Sequence, residues 1–294
     1  MTETRQIDAL LDQLNLEELD VDLYRGHNPA ERHNQRVFGG LVAAQALRAA
    51  ILTVDSDHRP HSLHGYFLRG GVPGRPIVFH VDRIRDGRSF TTRRVVARQY
   101  GQAIFNLTAS FQTLEDDDTD YQVALPADAG IPTDAPDRRP RDELHARWMA
   151  DSPFMTKELG PTDPDDHGVL ASTRRVWFRA KSPMPDDPLL HTCALTYASD
   201  MGAVTAALVP VVGERWPFAA TELMTASLDH AVWFHRPVRV DDWLFYDLHS
   251  VSNQNSRGLV RGTIHRQDGV LVASTTQEAL IRRLRPTANA AELG

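Results

Sequence analysis

The stretch 188-PLLHTCALTYASDMGAVTAALV-209 decides the fold, and it reads as one helix. Asp186 and Asp187 stand where an N-cap belongs, and Pro188 suits the first turn. Leu190, Cys193, Ala194, Tyr197, Ala198 and Met201 recur at steps of three and four, which makes one apolar stripe. Asp200 follows Tyr197 by three residues and Cys193 by seven, so it projects from that stripe toward the core. Burying a carboxylate without partners costs several kcal/mol. Three explanations stay open: a core Asp satisfied by hydrogen bonds, a helix frayed near Gly202, or an acid held for chemistry.

A chain of 294 residues, 41% of them hydrophobic, can build a large core and is long enough for two modest domains. Net charge is -7 and the basic residues are dispersed, which argues against a nucleic-acid partner. The single cysteine, Cys193, excludes an internal disulfide framework and a cysteine-rich zinc site. A reducing, cytoplasmic compartment fits that count. The N-terminal MTETRQIDALLDQLNLEELD lacks the apolar run of a signal peptide, and the C-terminal ANAAELG carries no address signal. No window reaches the roughly 18 uninterrupted apolar residues of a membrane span. The 13 histidines form no HxxxH or HExxH pair, and there is neither a GxSxG elbow nor a Gly-rich phosphate loop. No metal and no cofactor are therefore expected, and a serine α/β-hydrolase is disfavoured.

Upstream of the opening run, residues 5–18 read as a short amphipathic helix and residues 19–24 as an edge strand. Then 37-VFGGLVAAQALRAAILTV-54 reads as a small-residue helix opened by Gly39 and Gly40. Interior glycines cost a helix about 1 kcal/mol each. Their use here is close backbone approach, by a packed strand or by a ligand. From residue 62 to 112 strands follow: HSLHGYFLRGG, PIVFHVDRIRDG, SFTTRRVVARQYGQ and AIFNLTASFQ, with turns at Asp86-Gly87 and Tyr100-Gly101. Residues 115–169 are dense in Pro and Asp and read as a linker around a short helix near 143–149. Strands resume with STRRVWFRA and, after the opening helix, with SLDHAVWFHRP, DDWLFYDLHSV, RGLVRGTIHRQDG and VLVASTTQEALIRRL. The expected division is 1–115, a linker over 116–169, and 170–294.

The two halves repeat one order, a helix and then a four-strand meander. SLHGYFLRGG matches SLDHAVWFHRP, each last hairpin has a turn glycine (Gly101, Gly269), and each last strand ends on Gln (Gln112, Gln277). Chance likeness of two antiparallel meanders is the rival to duplication. Either way the architecture is α+β, with a sheet burying one face under a helix. Two such units can pair edge to edge.

The copies differ in one respect. The first helix has no carboxylate between Phe38 and Leu52, and Gln45 is its most polar inner residue; the second has Asp200. One acid centre per chain is expected. Gln277 shares a strand face with Leu271, Ala273 and Thr275, where a buried amide would need partners; an exposed edge Gln fits the pattern as well. Ser227 precedes a strand, where serine is also a common cap. Cys193 reads as core. His230 and His235, five residues apart on a strand, face opposite sides and make a poor chelate.

The stretches VFGGLVAAQAL, HSLHGYFLRGG, RDGRSFTTRRVVA, FNLTASFQ, YASD, SLDHAVWFHRP and QDGVLVASTTQE together carry a resemblance across residues 37–278. The chain resembles the acyl-CoA thioesterase II family, TesB-like enzymes with a double hotdog fold. The resemblance implies a central helix wrapped by antiparallel sheet in each half, and hydrolysis of fatty acyl-CoA to free acid and coenzyme A. It also implies that an Asp, a Thr and a Gln hold a water. These fall on Asp200 in YASD, on Ser227 two residues before the Asp of DHAVWFHR, and on Gln277 in TTQE. Serine in place of threonine keeps the hydroxyl and loses one methyl, so activity is expected to persist.

In that reading Asp200 accepts or orients the proton of the water, and Ser227 and Gln277 fix its position. A backbone N–H by Gly39 or Gly40, at a helix N-terminus, would bind the substrate oxyanion. Two rivals remain. A lyase adding water to an enoyl-CoA wants an Asp–His pair, and His191 lies nine residues before Asp200. A non-catalytic acyl-CoA binder would release no thiol. Acyl-CoA is the expected partner throughout, and a homodimer or homotetramer the expected assembly.

Overall fold

The computed structural model describes residues 4–30, 36–115, 119–133, 146, 149–159, 173–212 and 223–284. The first half runs α1 (Thr4–Leu14), β1 (Glu17–Asp20), β2 (Leu23–Gly26), α2 (Gly39–Ile51), β3 (His58–Phe67), β4 (Ile77–Asp86), β5 (Phe90–Gln99) and β6 (Gln102–Thr113). The second runs β7 (Phe154–Leu159), β8 (Thr173–Ala180), α3 (Pro188–Ser199), α4 (Ala203–Val212), β9 (Leu223–Ser227), β10 (Asp229–Phe234), β11 (Leu244–Gln254), β12 (Arg257–Arg266) and β13 (Leu271–Arg283).

All the strands join one antiparallel sheet, in the order β1-β2-β4-β5-β6-β3-β10-β13-β12-β11-β8-β7, with β9 on β13. Read inward from either edge, the order is the same: β1-β2-β4-β5-β6-β3 and β7-β8-β11-β12-β13-β10. The halves meet along β3 and β10, where Ala231 lies opposite His64 and Val232 opposite Leu63. This is the expected edge-to-edge pairing of two α+β units, a double hotdog. Both closing hairpins use left-handed backbone at the turn, with Tyr100 and Gly101 at φ 49° and 74° and Gly269 at φ 89°. At Tyr100-Gly101, positive φ at both central residues matches the right-handed twist of the strands.

The sheet curls around the helices. α2 lies across β4, β5 and β6, α4 lies across β8, β11, β12 and β13, and α2 packs against α3. α2 is interior on every side: Ala43, Ala44, Ala46, Leu47, Ala49 and Ala50 have no exposed surface. Its small residues let sheet and helix approach from several directions at once.

Several expectations need correction. The opening run is not one helix. It breaks after Ser199, where Asp200 is the C-cap and Gly202 takes φ 100°. Only glycine adopts that backbone without strain. By length and mean hydropathy, Pro188–Val211 matches a membrane span, but here its two helices pack inside the sheet. The capping prediction is met: Asp187 Oδ1 accepts from Leu189 N–H at 2.9 Å, and Pro188 opens the helix.

The expected edge strand at 19–24 is a tight hairpin, β1–β2, with Asp22 at φ 57°. SLDHAVWFHRP divides at Leu228, whose N–H donates to Glu278 O and whose carbonyl accepts from Phe67 N–H. Residues 116–169 are more than a connection: Phe154–Leu159 forms β7 on the sheet edge. Asp128 also pairs with Arg175, and the Ala129 carbonyl accepts from Trp177 Nε1 at 3.0 Å. The short helix expected near 143–149 falls largely outside the described residues. The two terminal glutamines are not counterparts. Leu107, Ala109 and Phe111 face inward on β6, so Gln112 faces out, whereas Gln277 lies inward on β13.

Candidate active site

Asp200, Ser227 and Gln277 converge. Asp200 ends α3, Ser227 ends β9, and Gln277 sits within β13 on the inward face that also carries Ala273, Thr275 and Ala279. Gln277 Nε2 donates to Asp200 Oδ1 at 2.9 Å and to Ser227 Oγ at 2.8 Å. The Ser227 hydroxyl lies 3.4 Å from the same Asp200 oxygen, a weaker contact. Asp200 is 6% exposed and Gln277 2%. The acid is therefore a buried carboxylate with partners, not a frayed helix end.

The first half supplies one more donor. The Gly40 N–H, in the first turn of α2, bonds the Asp200 carboxylate. An anion at a helix N-terminus meets unsatisfied N–H groups and the positive end of the dipole. Both glycines are needed for space: a Cβ on Gly39 would stand 2.9 Å from Asp200 Oδ2, and one on Gly40 2.4 Å from the Tyr197 carbonyl. The close approach predicted from sequence is real: at Gly39 the neighbours are Phe67 of strand β3 and Asp200, and at Gly40 the α3 backbone. Burial pushes the Asp200 carboxyl up to about 6, while Gln277, the Gly40 N–H and Ser227 favour its charged form and limit the rise.

Residues that the sequence did not connect with this acid complete the surroundings. Tyr246 donates to the Ser199 carbonyl at 2.9 Å and contacts Thr275 Oγ1 at 2.8 Å. Ser199 Oγ lies 2.7 Å from His230 Nε2. Their only sequence signal is a polar residue on an inward-facing position, on strands for Tyr246 and His230 and on α3 for Ser199, which many structural residues share. His191 does not join the site: its Nδ1 accepts the Val240 N–H at 3.1 Å, so the Asp–His pair of a lyase is not formed with it. Gln45 is structural as well, donating to the carbonyls of Gln13 and His27, both at 2.8 Å. Cys193 is core, and burial pushes its thiol up to about 12. His230 is buried while His235 faces outward to Ser274 Oγ at 2.9 Å, as alternation predicts. Among the described residues no group of His, Cys, Asp and Glu is placed to hold a metal ion.

The duplicated strand order, with a helix under each half, places the chain in the class of double-hotdog proteins. Comparison with known proteins supplies the family. The family model for acyl-CoA thioesterase matches residues 150–280, and that for the acyl-CoA thioesterase N-terminal domain matches residues 28–112. The chain belongs to the acyl-CoA thioesterase family, whose members hydrolyse acyl-CoA thioesters. It is 38% identical over 296 residues to mouse acyl-coenzyme A thioesterase 8, spanning 95% of this chain and 90% of that one. Haemophilus influenzae acyl-CoA thioesterase 2 is 33% identical over 285 residues, 94% of this chain and 98% of that one. The crystal structure of acyl-CoA thioesterase II TesB2 from Mycobacterium marinum superposes with a TM-score of 0.79 at 43% identity, covering 94% of this chain and 98% of that one.

Proposed function

We propose that Asp200, Ser227 and Gln277 hold and activate the water that cleaves a fatty acyl-CoA thioester. The observation that carries this is the Gln277 amide, which bonds the buried acid and the hydroxyl together at 2.9 and 2.8 Å. A water bonded to Asp200 and Ser227 is then fixed in one orientation before attack. Asp200 takes one proton as the water oxygen bonds to the thioester carbon. The tetrahedral intermediate expels the coenzyme A sulfur, which leaves as thiol with the proton Asp200 had taken, and the fatty acid is released. The Gly40 N–H already serves the acid. That leaves Gly39, in the same turn, as the donor to the oxyanion.

The reading extends to assembly and place. Tyr66 and Trp233 stay exposed on strands β3 and β10, at the junction of the halves, which supports a homodimer or homotetramer. A single buried free cysteine suits a reducing compartment such as the cytoplasm.

A thiol-release assay over acyl-CoAs of graded length tests the core of this. Asp200→Asn is expected to lose about 10²–10⁴-fold in kcat while remaining folded. Parental turnover in that variant would reject the assignment.

A further inference from the structure

His230 lies on the inner face of β10 with 1% of its surface exposed. One ring nitrogen, Nε2, is 2.7 Å from Ser199 Oγ. The ring also interacts with the Gln277 side chain, its neighbour across the β10–β13 pairing. Yet His230 Nδ1 and Gln277 Oε1 are both buried without a well-formed hydrogen bond. Two neighbouring orphans of this kind account for each other, if one carries a proton.

The amide of Gln277 has two ways round. With Nε2 toward Asp200 and Ser227, two N–H groups meet two acceptors, and Oε1 is left toward the imidazole. Turned over, Oε1 would face the carboxylate, acceptor against acceptor. The ring decides how firmly the first arrangement holds. A proton on Nδ1 attracts Oε1, whereas a bare Nδ1 repels it. A proton on Nδ1 leaves Nε2 bare, and Ser199 O–H can donate to it. In the other tautomer Ser199 would keep its hydroxyl on the Thr196 carbonyl, 2.9 Å away, and two lone pairs would oppose each other at Gln277. Burial pushes the His230 pKa down to about 4, so the ring is neutral and has one proton to place.

We infer that His230, protonated on Nδ1, is a positioning residue that holds Gln277 Oε1 and so keeps the amide N–H groups on Asp200 and Ser227. Ser199 can bond Nε2 in either tautomer, so the Gln277 carbonyl oxygen decides which nitrogen keeps the proton. The inference rests on the water-holding reading above.

The test uses thiol release by the full chain. His230→Asn places an amide N–H where Nδ1–H was, and is expected to keep kcat within about threefold. His230→Gln reaches the Nε2 position instead and leaves Oε1 unheld. Its kcat is expected to fall roughly 10–100-fold, the usual scale for an orienting partner, with KM within about twofold. In a Gln277→Ala background, His230→Gln is expected to cost nothing further, because the group it acts through is gone. Parental kcat in His230→Gln, or losses that multiply in the double variant, would overturn the inference. Parental kcat in Gln277→Ala would instead remove the water-holding reading beneath it. A measurement on the parent avoids any folding loss: ring ¹⁵N shifts are expected to show a protonated Nδ1 and a bare Nε2, and the opposite tautomer sinks the proposal.

Discussion

Asp200 is ionised at pH 7 inside the protein, and this has a cost that can be measured. Its pKa of about 6 stands roughly 2 units above the ordinary carboxyl, which corresponds to about 3 kcal/mol. The folded value lies above the unfolded one, so the folded state holds the proton more tightly. The stability is fully present below about pH 4 and is lost as pH rises through 6. Asp200→Asn removes that titration. In denaturant melts it is expected to equal the parent near pH 4 and exceed it by up to about 3 kcal/mol at pH 8, while thiol release collapses. The parent's kcat/KM is expected to fall on the acid side with a midpoint near 6; a midpoint near 4 would mean that another group titrates. At Ser227, replacement by threonine is expected to hold turnover within about threefold, because the hydroxyl stays. Ser227→Ala, losing a net hydrogen bond, is expected to drop turnover roughly tenfold.

At the scale of elements, the crossing of α2 over the end of α3 matters most. Gly40 is where backbone meets backbone: a methyl there would sit 2.4 Å from the Tyr197 carbonyl, which no side-chain rotation relieves. Gly40→Ala is expected to cost about 1–3 kcal/mol by overpacking. It should also lower kcat, since the Gly40 N–H would be pushed off Asp200. Gly269→Ala is the comparison. That glycine has φ 89° in the β12–β13 turn, and a methyl added there would meet nothing within 4 Å. It is expected to lose about 1–2 kcal/mol from backbone strain alone, with kcat unchanged. Thermal melting and initial rates on both variants separate the two outcomes.

Across the whole molecule, the acid proposed for catalysis depends on both halves. Asp200, Ser227 and Gln277 come from the second, and the N–H at Gly40 comes from the first. The β3–β10 seam and the bond from Phe67 N–H to Leu228 O, 2.9 Å long, tie the junction beside Ser227. With α2 packed on α3, neither half can open without exposing the core of the other. A single calorimetric transition is expected, with van't Hoff and calorimetric enthalpies equal. Two resolved transitions would show that the units fold independently.

The local pattern of residues was enough for the helices, most strands and their repeated order, because three- and four-residue steps, two-residue alternation and turn glycines act between near neighbours. Family resemblance, rather than pattern, singled out Ser227 and Gln277. Nothing local distinguishes Gln277 from Gln112, and only the strand register turns one inward and the other out. The same holds for the break at Gly202, for α3 as the neighbour of Gly40, and for Ser199 and His230 behind the amide. Asp200 lies 27 residues from Ser227 and 77 from Gln277. Contacts over such separations are chosen by how the sheet curls round its helices, and that choice leaves no trace in any short stretch of the chain.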